Sequence, residues 1–291
     1  HVNFCLEKDR KLLADVLNTN KLLVKQSLAC VYSNLNVSDD YRKIILDYVT
    51  NVSNKNKKII YDCLVTLFAP NEFLIDYLIK KQSFINYLYK EIEDKSNNQQ
   101  TLYFECIISF YIYKNRYKNL ITKALISVTV DSISNLTYFI ARNIEGICKD
   151  GKRMERTNAL FCDIVNCLEK KNYVFEKYEA SRITDCCCIC YLESNKKISE
   201  AIILAIKIAT RYDIEYIYDG VINMIKSDPY NSKIVKLCDI LISKCKKRTN
   251  RYDNVVIEIY KLYRELDFDK KKLREWKAIL ININPDILNE L

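Results

Sequence analysis

The stretch "ERTNALFCDIVNCLEK", residues 155–170, decides the fold class. Its apolar residues Leu160, Phe161, Ile164, Val165 and Leu168 recur at intervals of three and four. In a helix that spacing lines them along one face, whereas a strand would divide them between two. The same period runs through "KKIIYDCLVTLF" (57–68), with Ile59, Ile60, Cys63, Leu64, Leu67 and Phe68. It recurs almost everywhere along the chain. Sequence patterning therefore predicts an amphipathic all-α protein.

Composition points the same way. The chain has 291 residues, 49% hydrophobic and 29% charged, which is ample for a packed core and unlike a disordered segment. It contains only three Gly and three Pro. A sheet protein of this length needs turn glycines in many places, because tight hairpins require positive φ. The formal net charge is +9, with 46 basic residues offset by 37 acidic ones spread over the same segments. The densest basic run, "KCKKRTNR" (244–251), reads as a solvated helix end and loop, so nucleic acid is an unlikely partner on charge grounds. The longest apolar candidate for a membrane span, "SEAIILAIKIATRY" (199–212), is interrupted by Lys207.

Short polar residues mark expected helix starts: Ser38, Asn71, Ser83 and Asp131. Pro70 and Pro229 mark breaks, and Pro285 is expected to open a short final helix. These signals divide the chain into about sixteen helices of ordinary length. Polar loops such as "EDKSNNQQ", "KDGKR" and "ESNKK" separate them into groups about 40 residues apart, the period of armadillo and HEAT repeats. The expectation is a single domain over 1–291, a right-handed α-solenoid of armadillo/HEAT-like helical repeats.

Few groups suggest chemistry. "GICKDGK" (146–152) satisfies the spacing of a phosphate-binding loop, but such a loop needs a preceding strand and a following Ser or Thr. Here Arg153 follows and an amphipathic helix precedes, so the stretch reads as a helix connection with Gly151 as a helix stop. His1 is the only histidine, which excludes Ser-His-Asp, Cys-His and H-E-x-x-H arrangements. The expectation is a protein that is not an enzyme, with no catalytic residue, cofactor or metal site. "SFYIYKNRYKN" (109–119) interleaves Tyr111, Tyr113 and Tyr117 with basic residues and reads as the wet end of a helical hairpin.

Of thirteen cysteines, Cys30, Cys63, Cys106, Cys162, Cys167 and Cys238 fall on apolar stripes and are expected to act as small buried hydrophobes. Cys186, Cys187, Cys188 and Cys190 form the cluster "CCCIC". Its C-x-x-C pair, Cys187 and Cys190, is a pattern used for metal or disulfide chemistry, but no second pair or histidine completes a zinc site. Two readings stand: helical packing of four thiols, or one or two disulfides in an oxidising compartment.

The chain begins at His1 rather than Met and ends "NPDILNEL". Its last residues, Leu288, Asn289, Glu290 and Leu291, resemble the K-D-E-L type of endoplasmic-reticulum retrieval signal in the final Glu-Leu, with Asn replacing Asp and Leu replacing the basic residue. A missing methionine fits a removed leader. The sequons at Asn36, Asn51 and Asn135 are compatible with a lumenal protein. With a helical body and no active site, the chain resembles the armadillo-type nucleotide exchange factors of the endoplasmic reticulum that act on the BiP chaperone. The resemblance implies a solenoid that embraces the chaperone's ATPase domain, favours its open conformer and so promotes ADP release in the endoplasmic reticulum lumen. It carries over no contact residue. The alternative is a cytoplasmic or nuclear scaffold for proteins, or less readily RNA.

Overall fold

A computed structural model describes residues 57–66, 72–94, 99–147, 150–195, 198–214, 219–244 and 250–283, together with positions 43, 46, 47 and 285. Fourteen helices and no strand occur among the described residues, so the chain is all-α there. It divides into two compact units, one reaching Val128 and one beginning at Thr129.

The first unit contains α1 (Lys57–Thr66), α2 (Glu72–Leu78), α3 (Gln82–Glu93), α4 (Gln100–Lys114) and α5 (Lys118–Ser127). Helix α4 is buried nearly all round, through Tyr103, Phe104, Cys106, Ile107, Ile108, Phe110, Tyr111 and Ile112. A helix of that composition belongs in a core, and α4 packs against α1, α2, α3 and α5. The stripe of α1 points inward through Ile60, Cys63 and Leu64. Leu67 and Phe68 of the same stripe lie outside the described residues.

The second unit contains α6 (Val130–Arg142), α7 (Ile144–Ile147), α8 (Gly151–Lys170), α9 (Lys177–Glu193), α10 (Ser199–Arg211), α11 (Asp219–Ser227), α12 (Ser232–Lys244), α13 (Asn250–Glu265) and α14 (Lys270–Ile283). Leu160, Phe161, Ile164, Val165 and Leu168 on α8 are all buried, as their spacing requires. Full burial of each such side chain contributes about 1.5–3 kcal/mol before the entropy of ordering is subtracted.

The packing follows two series. Helices α6, α9, α11 and α13 contact one another in succession, and so do α8, α10, α12 and α14. Between the series, α6 meets α8, α9 meets α10, and α13 meets α14. Helix α9 is the most enclosed, touching α6, α8, α10 and α11. That position explains why its buried residues run almost round the helix, from Ala180 and Ile183 to Cys190 and Tyr191.

Helix ends differ from the expected ones in three places. Ser83 lies inside α3, whose N-cap is Lys81, and its hydroxyl instead shares a 2.8 Å hydrogen bond with Tyr61. Thr129, not Asp131, caps α6 by accepting from the Ser132 amide, while Asp131 sits in the first turn, where a carboxylate favours the helix dipole. Gly151 begins α8 rather than ending a helix, because Asp150 supplies the cap by accepting from the Lys152 amide at 2.8 Å. Ser38 and Asn71 lie outside the described residues.

With so few glycines, the turns use other residues. Asn115, Asn172, Asn195 and Asp267 have φ between 49° and 57° just after α4, α8, α9 and α13. Asn and Asp tolerate this left-handed region because their short polar side chains bond locally. Tyr117, φ 65°, precedes α5 and donates through its hydroxyl to the Ile79 carbonyl. The "SFYIYKNRYKN" segment is therefore a helix connection: Tyr111 is buried, Lys114 pairs with Asp76 at 2.7 Å and Lys118 lies over the Tyr111 ring.

Candidate interaction surface

The cysteine cluster lies on α9, the enclosed helix. Cys186, Cys187, Cys188 and Cys190 are all buried. Burial pushes the Cys187 and Cys188 thiols well above their ordinary value, so they are protonated and poor nucleophiles. In this structure the four side chains lie in the packed interior and are not joined to one another. Among the described residues no group of His, Cys, Asp or Glu is arranged to hold a metal ion. Of the stripe cysteines, Cys63, Cys106 and Cys238 are buried, whereas Cys162 and Cys167 are only half-buried at the edge of the α8 stripe. Cys30 and the tail residues Leu288, Asn289, Glu290 and Leu291 lie outside the described residues, as do Asn36 and Asn51.

The "GICKDGK" match is preceded by a helix rather than a strand, and its Cys148 and Lys149 lie outside the described residues. Residues 144–147 are a short helix, and Asp150 already caps the amide of Lys152 with its own carboxylate. Gly151 and Lys152 line a hollow with Asp150, Glu155 and Glu193, whose three carboxyls disfavour an anion. No helix among the described residues is long and apolar enough to cross a membrane.

What α9 does expose is a ladder of aromatic rings and guanidinium groups shared with α6. Two pentapeptides supply it, "YFIAR" (138–142) on α6 and "YEASR" (178–182) on α9. In each, Tyr and Arg are four residues apart and share a helix face. Packing of α6 on α9 brings the two faces together. The Arg182 guanidinium lies 4.4 Å from the Tyr138 ring centroid and 5.1 Å from that of Tyr178, and Arg142 reaches the Tyr138 ring at 6.0 Å. The rings are open to solvent, Tyr138 at 51% and Tyr178 at 40% exposure. Neither arginine forms an ion pair with a carboxylate among the described residues.

Two shallow hollows flank this ladder. One, about 270 Å³, is lined by Tyr138, Ala141, Arg142, Ile144, Arg182, Asp185 and Cys186. The other, about 260 Å³, is lined by Ser134, Asn135, Tyr138, Tyr178, Glu179 and Arg182. Both carboxylates beside them are fixed by the fold. Glu179 is buried and accepts from Ser134, from Tyr173 at 2.8 Å and from the Glu176 amide at 2.9 Å, closing the N-terminus of α9. Asp185 sits against the start of α11, and burial pushes its carboxyl up to about 6, opposed by the Gly220 and Val221 amides.

The contacts also set the relative direction of the helices. Ser134 meets Glu179 and Tyr138 meets Arg182, so α6 and α9 step forward together. Asp185 meets Gly220, and Tyr191 donates to Asp228 just beyond α11, so α9 and α11 do the same. The Tyr-x-x-x-Arg pairs were visible in sequence, but as two isolated pentapeptides 40 residues apart they carried no signal of convergence. No family model, no curated protein and no solved structure matches this chain.

Proposed function

We propose that the chain is a non-enzymatic helical-repeat protein that works by binding another protein, with residues 129–291 forming part of a right-handed armadillo/HEAT-like α-solenoid. The single observation that carries this reading is the parallel stepping of α6, α9 and α11 within one series of contacting helices, backed by the second series α8, α10, α12 and α14. Parallel helices repeated in one layer are what stacked helical hairpins produce, and such stacks present extended binding surfaces. The exposed Tyr and Arg residues on the α6–α9 face match the residue types that concentrate binding energy at protein interfaces.

A sharper version makes the partner a BiP-type chaperone ATPase domain in the endoplasmic reticulum lumen and the outcome faster ADP release. It rests on the family resemblance alone. The alternative places the same scaffold in the cytoplasm or nucleus. The test is affinity capture with the full chain, followed by ADP-release kinetics on any chaperone recovered. Capture of a defined protein partner supports the scaffold, and accelerated ADP release supports the chaperone version. A chain that captures no protein, or that releases no ADP from a bound chaperone, sinks the respective reading.

A further inference from the structure

Resting on the scaffold reading, we infer that the α6–α9 face binds an acidic peptide segment of the partner, with Arg182 as its central anchor and Arg142 as a second contact. The argument begins with what holds Arg182. Its guanidinium lies over the rings of both Tyr138 and Tyr178, 4.4 and 5.1 Å from their centroids, contacts that restrict its freedom. A guanidinium held this way has already lost much of the rotamer freedom that binding would otherwise remove. Its donors form a fork that matches a carboxylate, and within the described residues no carboxylate takes that place. Arg142, 6.0 Å from the Tyr138 ring centroid, likewise has no carboxylate partner among the described residues.

The surroundings narrow the occupant. Ala141, Ile144 and Cys186 give the first hollow an apolar lining beside the two arginines. An apolar side chain flanked by Asp or Glu uses both parts of that surface. A nucleic acid fits it poorly. No lysine lines either hollow, and Asp185 and Glu179 would oppose a continuous phosphate backbone. A peptide can place its carboxylates at the two cations and leave the two acids unopposed.

The test uses the full chain and four fluorescent probes read by anisotropy: a twelve-residue Glu/Leu peptide, its Gln/Leu counterpart, a Lys/Leu peptide and a single-stranded oligouridylate. The Glu/Leu peptide is expected to bind saturably, more weakly as salt rises, and the Gln/Leu and Lys/Leu peptides not to bind. Arg182→Gln should weaken binding roughly tenfold or more, and Arg142→Gln less. Arg182→Lys preserves the charge but not the fork and should also weaken it, whereas Tyr138→Phe keeps the ring and should retain it. Melting curves matching the wild type establish that each variant is folded. No saturable Glu/Leu binding up to the order of 1 mM, unchanged affinity in Arg182→Gln, or tighter binding of the oligouridylate overturns the inference. If the captured partner survives the double variant Arg142→Gln, Arg182→Gln, the scaffold stands and this face is not its interface. If the wild type captures nothing, the scaffold reading itself fails.

Discussion

The indole N–H of Trp276 on α14 donates to Asp239 Oδ1 on α12 at 2.6 Å, and the same oxygen pairs with Lys272 at 2.8 Å. Trp276 is 1% exposed and packs edge-on against Tyr263 and stacked with Phe268. It is the only tryptophan in the chain, so its fluorescence reports on one place in the second unit. Asp239→Ala leaves a buried donor without its partner and should cost about 1–3 kcal/mol. Denaturant unfolding followed by tryptophan emission checks this. An unchanged midpoint would mean that the indole finds another acceptor.

Gly220 is required by close approach rather than by backbone conformation. A Cβ there would overlap the Asp185 carboxylate and lie 2.9 Å from Ile189 Cγ1, both on α9. Gly220→Ala therefore forces α9 and α11 apart and should cost about 1–3 kcal/mol despite the better helix propensity of alanine. Thermal unfolding of the variant decides it, and a stabilised variant would show that the two helices are looser than their contact implies.

Asp185 links stability to pH with the opposite sign to most carboxylates. Burial raises its folded-state value from 3.8 to about 6, helped by the neighbouring Asp219. The folded state therefore holds the proton more tightly than the unfolded chain, so stability is greatest below about pH 4 for this group and falls as pH rises to about 6. The loss amounts to about 2–3 kcal/mol, fully expressed at neutral pH. Asp185→Asn removes the charge while keeping the size and shape of the side chain. It should raise stability at pH 7 and flatten the pH dependence between 4 and 6, measured by urea unfolding across that range. Equal slopes in the variant and wild type would remove Asp185 as the source.

Thiol chemistry separates the helix-core cysteines from the edge ones. Burial raises the thiols of Cys187 and Cys188 far more than those of Cys162 and Cys167, which are half-buried. Iodoacetamide on the native protein at pH 7.5, read by peptide mass mapping, should modify Cys162 and Cys167 first and leave Cys186, Cys187, Cys188 and Cys190 unmodified until denaturant is added. Early modification within the cluster, or a mapped disulfide there, would show that α9 is not the closed core helix described above.

Sequence alone determined the helical class, because a three-and-four apolar period has one way to be buried, and Leu160, Phe161, Ile164, Val165 and Leu168 all point inward on α8. It also marked the polar loops between helices, although Gly151, read as a helix stop, begins α8, and the left-handed exits fell to Asn and Asp residues such as Asn115 and Asn195. Tertiary structure decided what local pattern could not encode. Ser83, read as a helix cap, lies inside α3 and shares its hydroxyl hydrogen bond with Tyr61 on α1 instead. The "CCCIC" cluster read first as helical packing and second as disulfide chemistry, and only the tertiary structure shows that it lies on a helix enclosed by four others, with its thiols buried. The Tyr138–Arg182 ladder was beyond sequence reasoning altogether. Its two halves meet only because α6 and α9 pack side by side in the same direction, a relationship set by long-range burial and not by any residue spacing within one helix.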